Sequence, residues 1–283
     1  MDLVELKIFK TVAEQGGITK AAAALHRVQS NVTTRVKQLE KRLGTQLFHR
    51  QGRKLVLSAE GKVLLDYAEQ LLRLSGEAQA ALKGRGPHGL FKLGALESTA
   101  ATRLPPVLAR YHRDHPAVRL ELVTGTSGAL VDKVLRGEIE AAFVAEPFPP
   151  KNLDTQHAFT EELVLITPKG HARVTRPQDI DERVVLGFTT GCSYRRRLEA
   201  WLGRSSIVAE RVMEYGSYHA IAACVAAGSG IAAVPKSVLH AIGIESQVMV
   251  HALPAGVANA KTMLVWRSGH RSAPLDALRT ALR

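Results

Sequence analysis

The side chains best suited to reading nucleic acid lie close together near the N-terminus. Asparagine and glutamine can form paired hydrogen bonds with adenine, arginine and lysine reach guanine or phosphate, and a threonine methyl group can contact thymine. The first turn of a helix that enters the major groove meets the base edges. We therefore predict base contacts from Gln29, Ser30, Asn31, Thr33 and Thr34, and the full predicted DNA-binding set adds Thr19, Arg35, Lys37, Arg50, Arg53 and Lys54.

A second group of polar residues is spread over the C-terminal two thirds of the chain. Short segments rich in glycine and hydroxyl side chains occur at 97–99, 125–128, 191–195, 216–219 and 228–230. Their backbone N–H groups and hydroxyls can hold a carboxylate or another small polar ligand. Each segment is also an ordinary turn composition, so the prediction depends on finding several of them after predicted strands or helices.

Two other chemistries stay open in the same region. Cys192 or Ser193 could act as a nucleophile with His219 as its base, but the chain has no nucleophile elbow, P-loop or dinucleotide-binding glycine motif. We therefore expect a protein that is not an enzyme and that uses no cofactor. Alternatively, Cys192 stands at a predicted helix start near Arg195, which would lower its pKa and suit a thiol-based redox sensor. Cys224 lies in a small apolar helix and is expected in the core.

The charge of the chain indicates an anionic partner. The formal net charge is +12 over 283 residues, which favours a polyanion. Between Lys20 and Lys62 there are ten basic residues against only Glu40 and Glu60. The excess is therefore concentrated around the predicted DNA-reading residues.

Several protein classes are disfavoured by composition. No apolar run approaches the roughly 18–20 residues needed to cross a bilayer, and the early acid Asp2 argues against a signal peptide. Two cysteines cannot form a disulfide framework or a four-cysteine zinc site. We therefore expect a cytoplasmic protein without a membrane partner or a metal site.

Three helices are predicted to position the DNA-reading residues. Asp2 can cap the first helix, which Gly16 ends, and Thr19 is expected to cap a short second helix. Ser30 is expected to cap a third helix that stops at Gly44. The apolar residues of the third helix form one stripe, Val32, Val36, Leu39 and Leu43. This arrangement is typical of a helix-turn-helix, and the β-prone segment 47–57 with its basic tip predicts a wing.

An apolar repeat of 3.5 residues follows the wing. It is typical of a coiled-coil seam and predicts a dimer, whose twofold symmetry suits a palindromic DNA site. The alternative is a helix that packs on its own domain. The predicted seam consists of Gly61, Leu64, Ala68, Leu71, Ser75, Ala78 and Leu82. The glycine-rich run at 84–89 then predicts a hinge.

Strand-like and helix-like segments alternate in the rest of the chain, which favours parallel sheets with crossover helices. In such folds ligands bind beyond the carboxyl ends of the strands. Strands are predicted at 90–95, 118–123, 141–145, 163–167, 184–188, 212–215, 231–234, 248–253 and 262–266. Helices are predicted at 104–111, 130–135, 194–202 and 218–227.

Residues 1–86 resemble the DNA-binding head and linker helix of LysR-type transcriptional regulators. The matching residues follow in the family's order: Phe9, Ala13, Gly16, Gly17, Ala21, Ala22, Leu25, Gln29, Ser30, Val32, Thr33, Leu39, Glu40, Leu43, Gly44, Leu47, Phe48, Arg50, Leu57, Ser58 and Gly61. The C-terminal region carries further landmarks of the family: Leu104, Pro105, His115, Pro116, Leu135, Gly137, Ile139, Glu140 and the run 226–232 with Pro235.

The resemblance implies an α/β protein with an N-terminal all-α winged helix-turn-helix domain. This domain would cover 1–58, a linker or dimerisation helix with a hinge 59–86, and an effector-binding domain 87–283. The last would contain two α/β subdomains of the periplasmic-binding-protein type II class, subdomain I at 87–160 with 255–283 and subdomain II at 161–254. The implied partners are double-stranded promoter DNA, a small-molecule effector and further copies of the chain, as a homodimer through the linker helix and then a homotetramer. A contact with RNA polymerase stays open.

The resemblance also implies where the effector binds. Carried over position by position, the effector contacts fall on Ser98, Thr99, Thr126, Ser127, Glu146, Cys192, Ser193, Tyr194, Ser217, Tyr218 and His219. The charge of the effector stays open, because the arginines at 195–197 could favour an anion or be a solvated surface run, whereas Glu97, Glu146 and Glu214 could favour a cationic amine. Amino acids, polyamines and small carboxylates are the expected classes.

Overall fold

The computed structural model consists of two compact units, Met1–Arg85 and Gly86–Arg283. It describes residues 1–51, 54–82, 86–149, 151–181 and 183–282. The predicted DNA contact Arg53 and part of the predicted hinge lie outside the described residues, and of Lys54 only the backbone is described. In the described part of the chain, no helix is long and apolar enough to cross a membrane.

The first unit is a three-helix domain with a β-hairpin and a long final helix. Its elements are α1 (Leu3–Gln15), α2 (Ile18–Ala24), α3 (Gln29–Leu43), β1 (Phe48–Gln51), β2 (Lys54–Leu57) and α4 (Ala59–Leu82). Strands β1 and β2 pair antiparallel and form the predicted wing. Asp2 and Glu5 form a capping box at the start of α1, and Gly16 and Gly44 end α1 and α3 with φ of 63° and 68°, where a residue with a Cβ would be strained.

The core of the first unit is made by one face of each helix. Val32, Val36 and Leu39 of the predicted stripe are buried, whereas Leu43 at the end of α3 is largely exposed. Phe9 of α1 packs against Phe48 of the wing with ring centroids 5.3 Å apart. The stripe therefore holds α3 by its apolar side and leaves its polar side open to solvent.

The predicted caps of α2 and α3 are wrong. Helix α2 begins at Ile18 with Gly17 at the N-cap, and α3 begins at Gln29 with Val28 at the N-cap, neither with a side-chain capping bond. Thr19 and Ser30 therefore lie inside the first turns of their helices. The backbone explains the early start of α3, because the carbonyl of Val28 already accepts N–H groups from the following turn.

The predicted coiled-coil seam is also wrong in its first half. Gly61 and Ala68 are buried and Leu64 packs against the core of the head, so this face of α4 covers its own domain. The approach is close, because a Cβ on Gly61 would lie 2.1 Å from the carbonyl oxygen of Leu47. A 3.5-residue repeat describes any helix with one apolar face, whether that face meets its own domain or a second chain.

The second unit contains nine strands and eight α-helices within its described residues. The strands are β3 (Gly89–Ala95), β4 (Val118–Thr124), β5 (Ala141–Ala145), β6 (Leu153–Pro168), β7 (Val184–Gly187), β8 (Arg211–Glu214), β9 (Ala232–Pro235), β10 (Val248–Ala252) and β11 (Asn259–Arg267). The helices are α5 (Glu97–Thr102), α6 (Leu104–Asp114), α7 (Ser127–Arg136), α8 (Ser193–Gly203), α9 (Tyr218–Ala226), α10 (Lys236–Ile242), α11 (Ala255–Ala258) and α12 (Ala273–Ala281).

The sheet of this unit is mixed, so the expectation of parallel sheets holds only in part. Strand β3 pairs parallel with β4 and β5, and β7 pairs parallel with β8. In contrast, β6 pairs antiparallel with β9, β10 and β11, and β11 pairs antiparallel with β5. Crossover helices impose parallel pairing only where they connect strands that are adjacent in the sheet. Strand β6 is a long strand whose two parts pair with different strands.

Strand β6 divides the unit into two lobes. Its first part, to Glu162, pairs with β11, and its second part, from Leu163, pairs with β9 and β10. We call the elements around β3, β4, β5 and β11 the first lobe and those around β7 to β10 the second lobe. Helices α5, α6, α7 and α12 belong to the first lobe, and α8, α9 and α10 to the second.

Candidate functional site

The polar face of α3 is the first candidate site. Gln29, Ser30, Thr34 and Lys37 are exposed, and Asn31, Thr33 and Arg35 are half-buried. Arg50 is exposed on the wing and Thr19 on α2. The structure therefore brings seven predicted DNA contacts onto one helix, beside one from the wing and one from α2.

Several of these side chains already have an intramolecular partner. Asn31 Oδ1 accepts a hydrogen bond from Arg27 Nη1 at 3.3 Å, and Thr33 Oγ1 donates to the carbonyl of Gln29 at 2.9 Å. The Thr33 methyl group and the Asn31 amide N–H groups stay available for bases. The charge of Arg35 acts on the carboxylate of Asp2, so Arg35 lies on the side of α3 that faces the start of α1.

Two carboxylates, the buried Glu5 and the half-buried Glu40, hold this surface in place. Glu5 is almost fully buried and accepts two hydrogen bonds from Arg42, at 2.9 and 3.1 Å. Glu40 accepts the backbone N–H groups of Leu47 and Phe48 at 2.8 and 3.3 Å, so it ties α3 to the first strand of the wing. Charge-assisted bonds of this kind fix the angle between α1, α3 and the wing.

Val28 is a candidate contact that the sequence analysis missed. It precedes α3 and is 69% exposed, which is unusual for a large aliphatic residue. At the N-terminal end of a recognition helix, an exposed methyl group is suited to contact thymine methyl groups. No sequence pattern marks it, because it lies in the turn between α2 and α3, where His26 adopts a φ of 50°, and not in a periodic element.

The second candidate site is a cleft between the two lobes. It holds about 270 Å³ of empty space, part of it open to solvent. The first lobe contributes Leu96, Glu97, Gly125, Thr126, Ser127 and Ala145, and the second contributes Phe188, Cys192, Ser193, Tyr194 and Tyr218. A cleft at the carboxyl end of β5, beside the starts of α7 and α8, is where an open α/β fold binds a ligand.

Six of the predicted effector contacts line this cleft and five do not. Those that line it are Thr126, Ser127, Cys192, Ser193, Tyr194 and Tyr218. Those outside the lining are Ser98, Thr99, Glu146, Ser217 and His219. Ser98 and Thr99 are fully buried in the first turns of α5, where the sequence predicted a loop. Ser217 caps α9 through the N–H of His219, and His219 is exposed.

The serine hydroxyls of the cleft serve the protein itself. Ser127 Oγ donates to the carbonyl of Ala145 and accepts its N–H, both at 3.1 Å, and Ser193 Oγ donates to the same carbonyl at 2.8 Å. Thr126 Oγ1 accepts the N–H of Ala129 as the cap of α7. Because Ser193 belongs to the second lobe and Ala145 to the first, this bond joins the lobes across the cleft.

A pair of glycines adds a second bond between the lobes. Gly128 N–H donates to the carbonyl of Gly191 at 3.3 Å. A Cβ on Gly128 would lie 3.3 Å from the Cα of Gly191, and Gly191 itself has a φ of 95°. The two backbones can approach this closely because neither residue carries a side chain.

Unpartnered polar atoms concentrate at this cleft. In the described residues, five buried side-chain oxygens lack a hydrogen-bond partner: Glu97 Oε2, Ser98 Oγ, Thr99 Oγ1, Tyr194 Oη and Thr262 Oγ1. Glu97 and Tyr194 line the cleft. The Tyr194 hydroxyl lies near those of Ser98 and Thr262, close enough that both lower its pKa as hydrogen-bonding groups do, against the larger effect of burial, but none of the three hydroxyls reaches full hydrogen-bond geometry. Buried polar groups normally have a partner, so such a cluster indicates a place where a ligand or water completes the bonding.

The ionisable groups of the cleft are shifted mainly by burial. Burial raises the pKa of the Glu97 carboxyl, against the backbone N–H of Tyr218 and the charge of His219. Burial also raises the pKa of Tyr194 to about 12 and that of Tyr218 well above its usual value. For the Cys192 thiol burial raises the pKa too, which reverses the expectation of a lowered value, because the charge of Arg195 is a smaller effect.

The three arginines that begin α8 are each bound to neighbouring groups. Arg195 pairs with Glu199 and Glu214 at 2.8 Å each. Arg196 donates to the carbonyl of Pro147, and Arg197 donates to that of Glu146 at 3.2 Å. None of the three lines the cleft. They are therefore neither a free solvated run nor an anion site in the cleft.

Comparison with known proteins identifies both units. Residues 3–62 match the bacterial regulatory helix-turn-helix protein of the LysR family, and residues 84–283 match the LysR substrate binding domain. Among curated relatives, the HTH-type transcriptional regulator YusT of Bacillus subtilis is 41% identical, over 94% of this chain and 90% of its own length. The HTH-type transcriptional regulator GltR of the same species is 35% identical, over 100% of this chain and 96% of its own length.

Solved structures show the same fold. A full-length OxyR variant from Pseudomonas aeruginosa superposes with a TM-score of 0.73 at 23% identity, covering 100% of this chain and 95% of the other. Full-length CbnR in complex with its target DNA gives 0.69 at 22% identity, covering 100% and 99%. The predicted family and fold class are thus confirmed, and the relatives are regulators of a family that is not enzymatic. The chain belongs to the LysR family of DNA-binding transcriptional regulators, with an N-terminal helix-turn-helix domain and a C-terminal effector-binding domain.

Proposed function

We propose that this regulator reads its promoter with the first turns of α3 and that a small polar molecule in the cleft changes its binding to that promoter. The observation that carries the proposal is the exposure of Gln29, Ser30 and Thr34 on the polar side of a helix whose other side is buried. Asn31 adds free amide donors, and exposed Arg50 on the wing supplies a phosphate contact.

The proposed DNA-binding form is a homodimer through the outer face of α4. Val63, Tyr67 and Leu74 are 58–60% exposed there, and Leu71 is 39% exposed. These residues lie at spacings of four, four and three, so they form one apolar strip on the side away from the head core. A second copy of the same strip would cover it, and the resulting twofold symmetry matches a palindromic site. Assembly into a tetramer and a contact with RNA polymerase rest on the family resemblance alone.

The proposed effector is an amino acid, a polyamine or a small carboxylate held between the lobes. The bonds from Ser193 to Ala145 and from Gly128 to Gly191 cross the same cleft. A ligand placed beside these bonds would favour one relative position of the lobes, which is the requirement for a change in DNA affinity. The alternative of a Cys192 redox sensor is opposed by the raised pKa of that thiol.

Binding to a duplex selected from random DNA by the full chain tests the DNA-reading proposal. The dissociation constant should rise steeply with salt. Asn31→Ala should change the preferred sequence, at a cost of about 1–3 kcal/mol for its base pair. Arg50→Ala should weaken all sequences alike and lower the salt slope by about one, whereas Lys151→Ala in the other unit removes the same charge without effect. A dissociation constant independent of salt would contradict the proposal.

The effector proposal is tested by the response of that DNA complex to candidate ligands. Thr126→Ala, at a residue that lines the cleft, should reduce the response and leave DNA affinity unchanged. Loss of DNA affinity in this variant would show that Thr126 acts in folding, as the cap of α7. A Cys192→Ser variant with normal responses to both oxidant and effector would exclude the redox alternative.

A further inference from the structure

Glu97 is the one lining residue of the cleft, among those the structure describes, that carries a carboxylate, ammonium, guanidinium or imidazole group. Its Oε2 atom is sealed from solvent and has no hydrogen-bond partner. The backbone N–H of Tyr218 faces the carboxylate from the start of α9. An ionised carboxylate accepts hydrogen bonds and donates none, so Oε2 requires a donor that the described residues do not supply.

A purely anionic ligand would find no opposite charge among the lining residues. The nearby arginines that could supply one are bound to other groups, Arg195 to Glu199 and Glu214, and Arg197 to backbone carbonyls. The imidazole of exposed His219 acts on Glu97 but does not line the cleft. A carboxylate placed here would also be repelled by Glu97, because like charges in a partly buried site interact strongly.

The uncharged part of the cleft also lacks partners. Tyr194 is almost fully buried, lines the cleft and leaves its hydroxyl unpartnered. A phenol hydroxyl can both donate and accept. Phe188 and Tyr218 stand beside it with ring centroids 4.8 Å apart and present apolar surface. The cleft thus combines one acceptor-only group, one adaptable hydroxyl and an aromatic wall.

We propose that the cleft selects a small organic ammonium ion, whose N–H groups donate to Glu97 and whose carbon chain lies against Phe188 and Tyr218. This inference rests on the proposed effector function and names the chemical class of its ligand. The ammonium group can belong to a simple amine or to a zwitterionic amino acid, whose carboxylate would then face the starts of α7 and α8.

Three probes separate these sources when titrated into the full chain by calorimetry: alanine and the two compounds that result when one of its charged groups is removed. Ethylammonium carries the cation alone, alanine carries both charges, and propanoate carries the carboxylate alone. We expect saturable binding of ethylammonium or alanine and none of propanoate at the same concentration. Tighter binding of alanine than of ethylammonium would assign the ligand to the amino acids, and the reverse order to the amines. This order needs no variant, so it remains decisive whether or not a substituted chain folds.

Glu97→Gln keeps the shape of the side chain and removes its charge. It should weaken the bound ammonium probe about tenfold or more, because hydrogen bonds to charged groups are the strong ones. Glu162→Gln removes the same charge from an exposed residue that pairs with exposed Lys236 and should leave binding unchanged. Binding of propanoate in preference to the other probes, binding that is unaffected by Glu97→Gln, or no binding of either ammonium compound would overturn the inference.

The failure of this inference and that of the proposed function give different results. If propanoate binds and alters the DNA complex, regulation by a cleft ligand stands and the ammonium assignment is wrong. If an ammonium probe binds through Glu97 but the DNA complex never responds to it, the ligand class is right and the regulatory role of the cleft is wrong.

Discussion

Replacing an unpartnered buried hydroxyl by a methyl group should stabilise the effector domain. Thr262 on β11 is fully buried and its Oγ1 has no hydrogen-bond partner. Thr262→Val keeps the branched shape, suits a strand and removes the desolvated hydroxyl. Burial of such a group without a partner costs about 1–3 kcal/mol. We therefore expect Thr262→Val to raise the free energy of unfolding by about 1–2 kcal/mol.

Thr167 provides a matched control in the same domain. It is also fully buried in a strand, but its Oγ1 forms a 2.8 Å hydrogen bond with Nε2 of His251. Thr167→Val therefore deletes a satisfied bond and leaves the imidazole without its partner, which should cost about 1–3 kcal/mol. The same chemical change is thus expected to have opposite signs at two equally buried positions.

Thermal unfolding of the full chain without ligand measures both variants. For a domain of about 150–250 residues, each kcal/mol corresponds to about 2–4 °C. The Tm of the effector-domain transition should rise by about 2–8 °C for Thr262→Val and fall for Thr167→Val. If Thr262→Val lowers the Tm as much as Thr167→Val does, the Tyr194 hydroxyl or an ordered water satisfies the Thr262 hydroxyl, and the idea of unmet bonding at the cleft is refuted.

Three further predictions concern groups outside the cleft. Burial, with the charges of His171 and Arg173, lowers the pKa of His251. Because the unfolded chain then takes up a proton at a higher pH than the folded one, the free energy of unfolding should fall as pH drops through about 6.5. Denaturant titrations at several pH values check this, and a pH dependence of the unfolding free energy that is unchanged in His251→Gln would contradict it. Gly61→Ala should destabilise the head by about 2–4 kcal/mol, because its Cβ would lie 2.1 Å from the carbonyl oxygen of Leu47. Gly76→Ala is the control, since a Cβ there meets nothing within 4 Å. Equal Tm values for the two variants would refute the close packing of α4. Arg42→Met leaves the buried Glu5 carboxylate without its bidentate partner. It should lower the free energy of unfolding by about 1–3 kcal/mol, less than for a fully buried ion pair because Arg42 is half exposed. An unfolding free energy unchanged in chemical denaturation would show that the ion pair contributes no more than a surface contact.

The fold of the head was largely predictable because its signals are local. Glycine at positive φ ended α1 and α3 as predicted, and the apolar stripe of α3 was correct in three of four positions. The start of α3 was not predictable from Ser30, because the turn before it lets Val28 begin the helix without a side-chain cap. Partners distant in the chain, such as Glu5 and Arg42, leave no periodic pattern in the sequence.

In the effector domain the strands were predictable, whereas four of the eight described helices, α5, α10, α11 and α12, and the strand pairings were not predicted. All nine predicted strand segments overlap an observed strand. The first ten residues of β6 were missed because this part contains no apolar run: most of its residues are polar, and only Leu153 and Glu161 of the ten are buried. The alternation of strands and helices indicates parallel pairing only where a crossover helix connects two neighbouring strands. It carries no information on which strands β6, β10 and β11 pair with or in which direction.

At the cleft, the sequence indicated the right loops but the wrong hydroxyls. The positions of Ser127 and Ser193 were predicted, yet both hydroxyls bind the backbone of Ala145. Glu97, which the sequence analysis named with Glu146 and Glu214 as a carboxylate that could favour a cationic amine, is the charged residue among the described lining residues. Residue type shows what a side chain can bind, and only the surrounding packing shows whether that capacity is already used.

This division of roles bears on how a ligand in the cleft can affect the rest of the protein. The bonds from Ser193 to Ala145 and from Gly128 to Gly191 are complete without a ligand and join the two lobes. Glu97 in the first lobe and Tyr194 in the second are incomplete without one. A ligand that bonds to both Glu97 and Tyr194 adds a connection between the lobes. Its affinity therefore differs between arrangements of the lobes. An effector can shift a conformational equilibrium only by as much as its affinity differs between the two states.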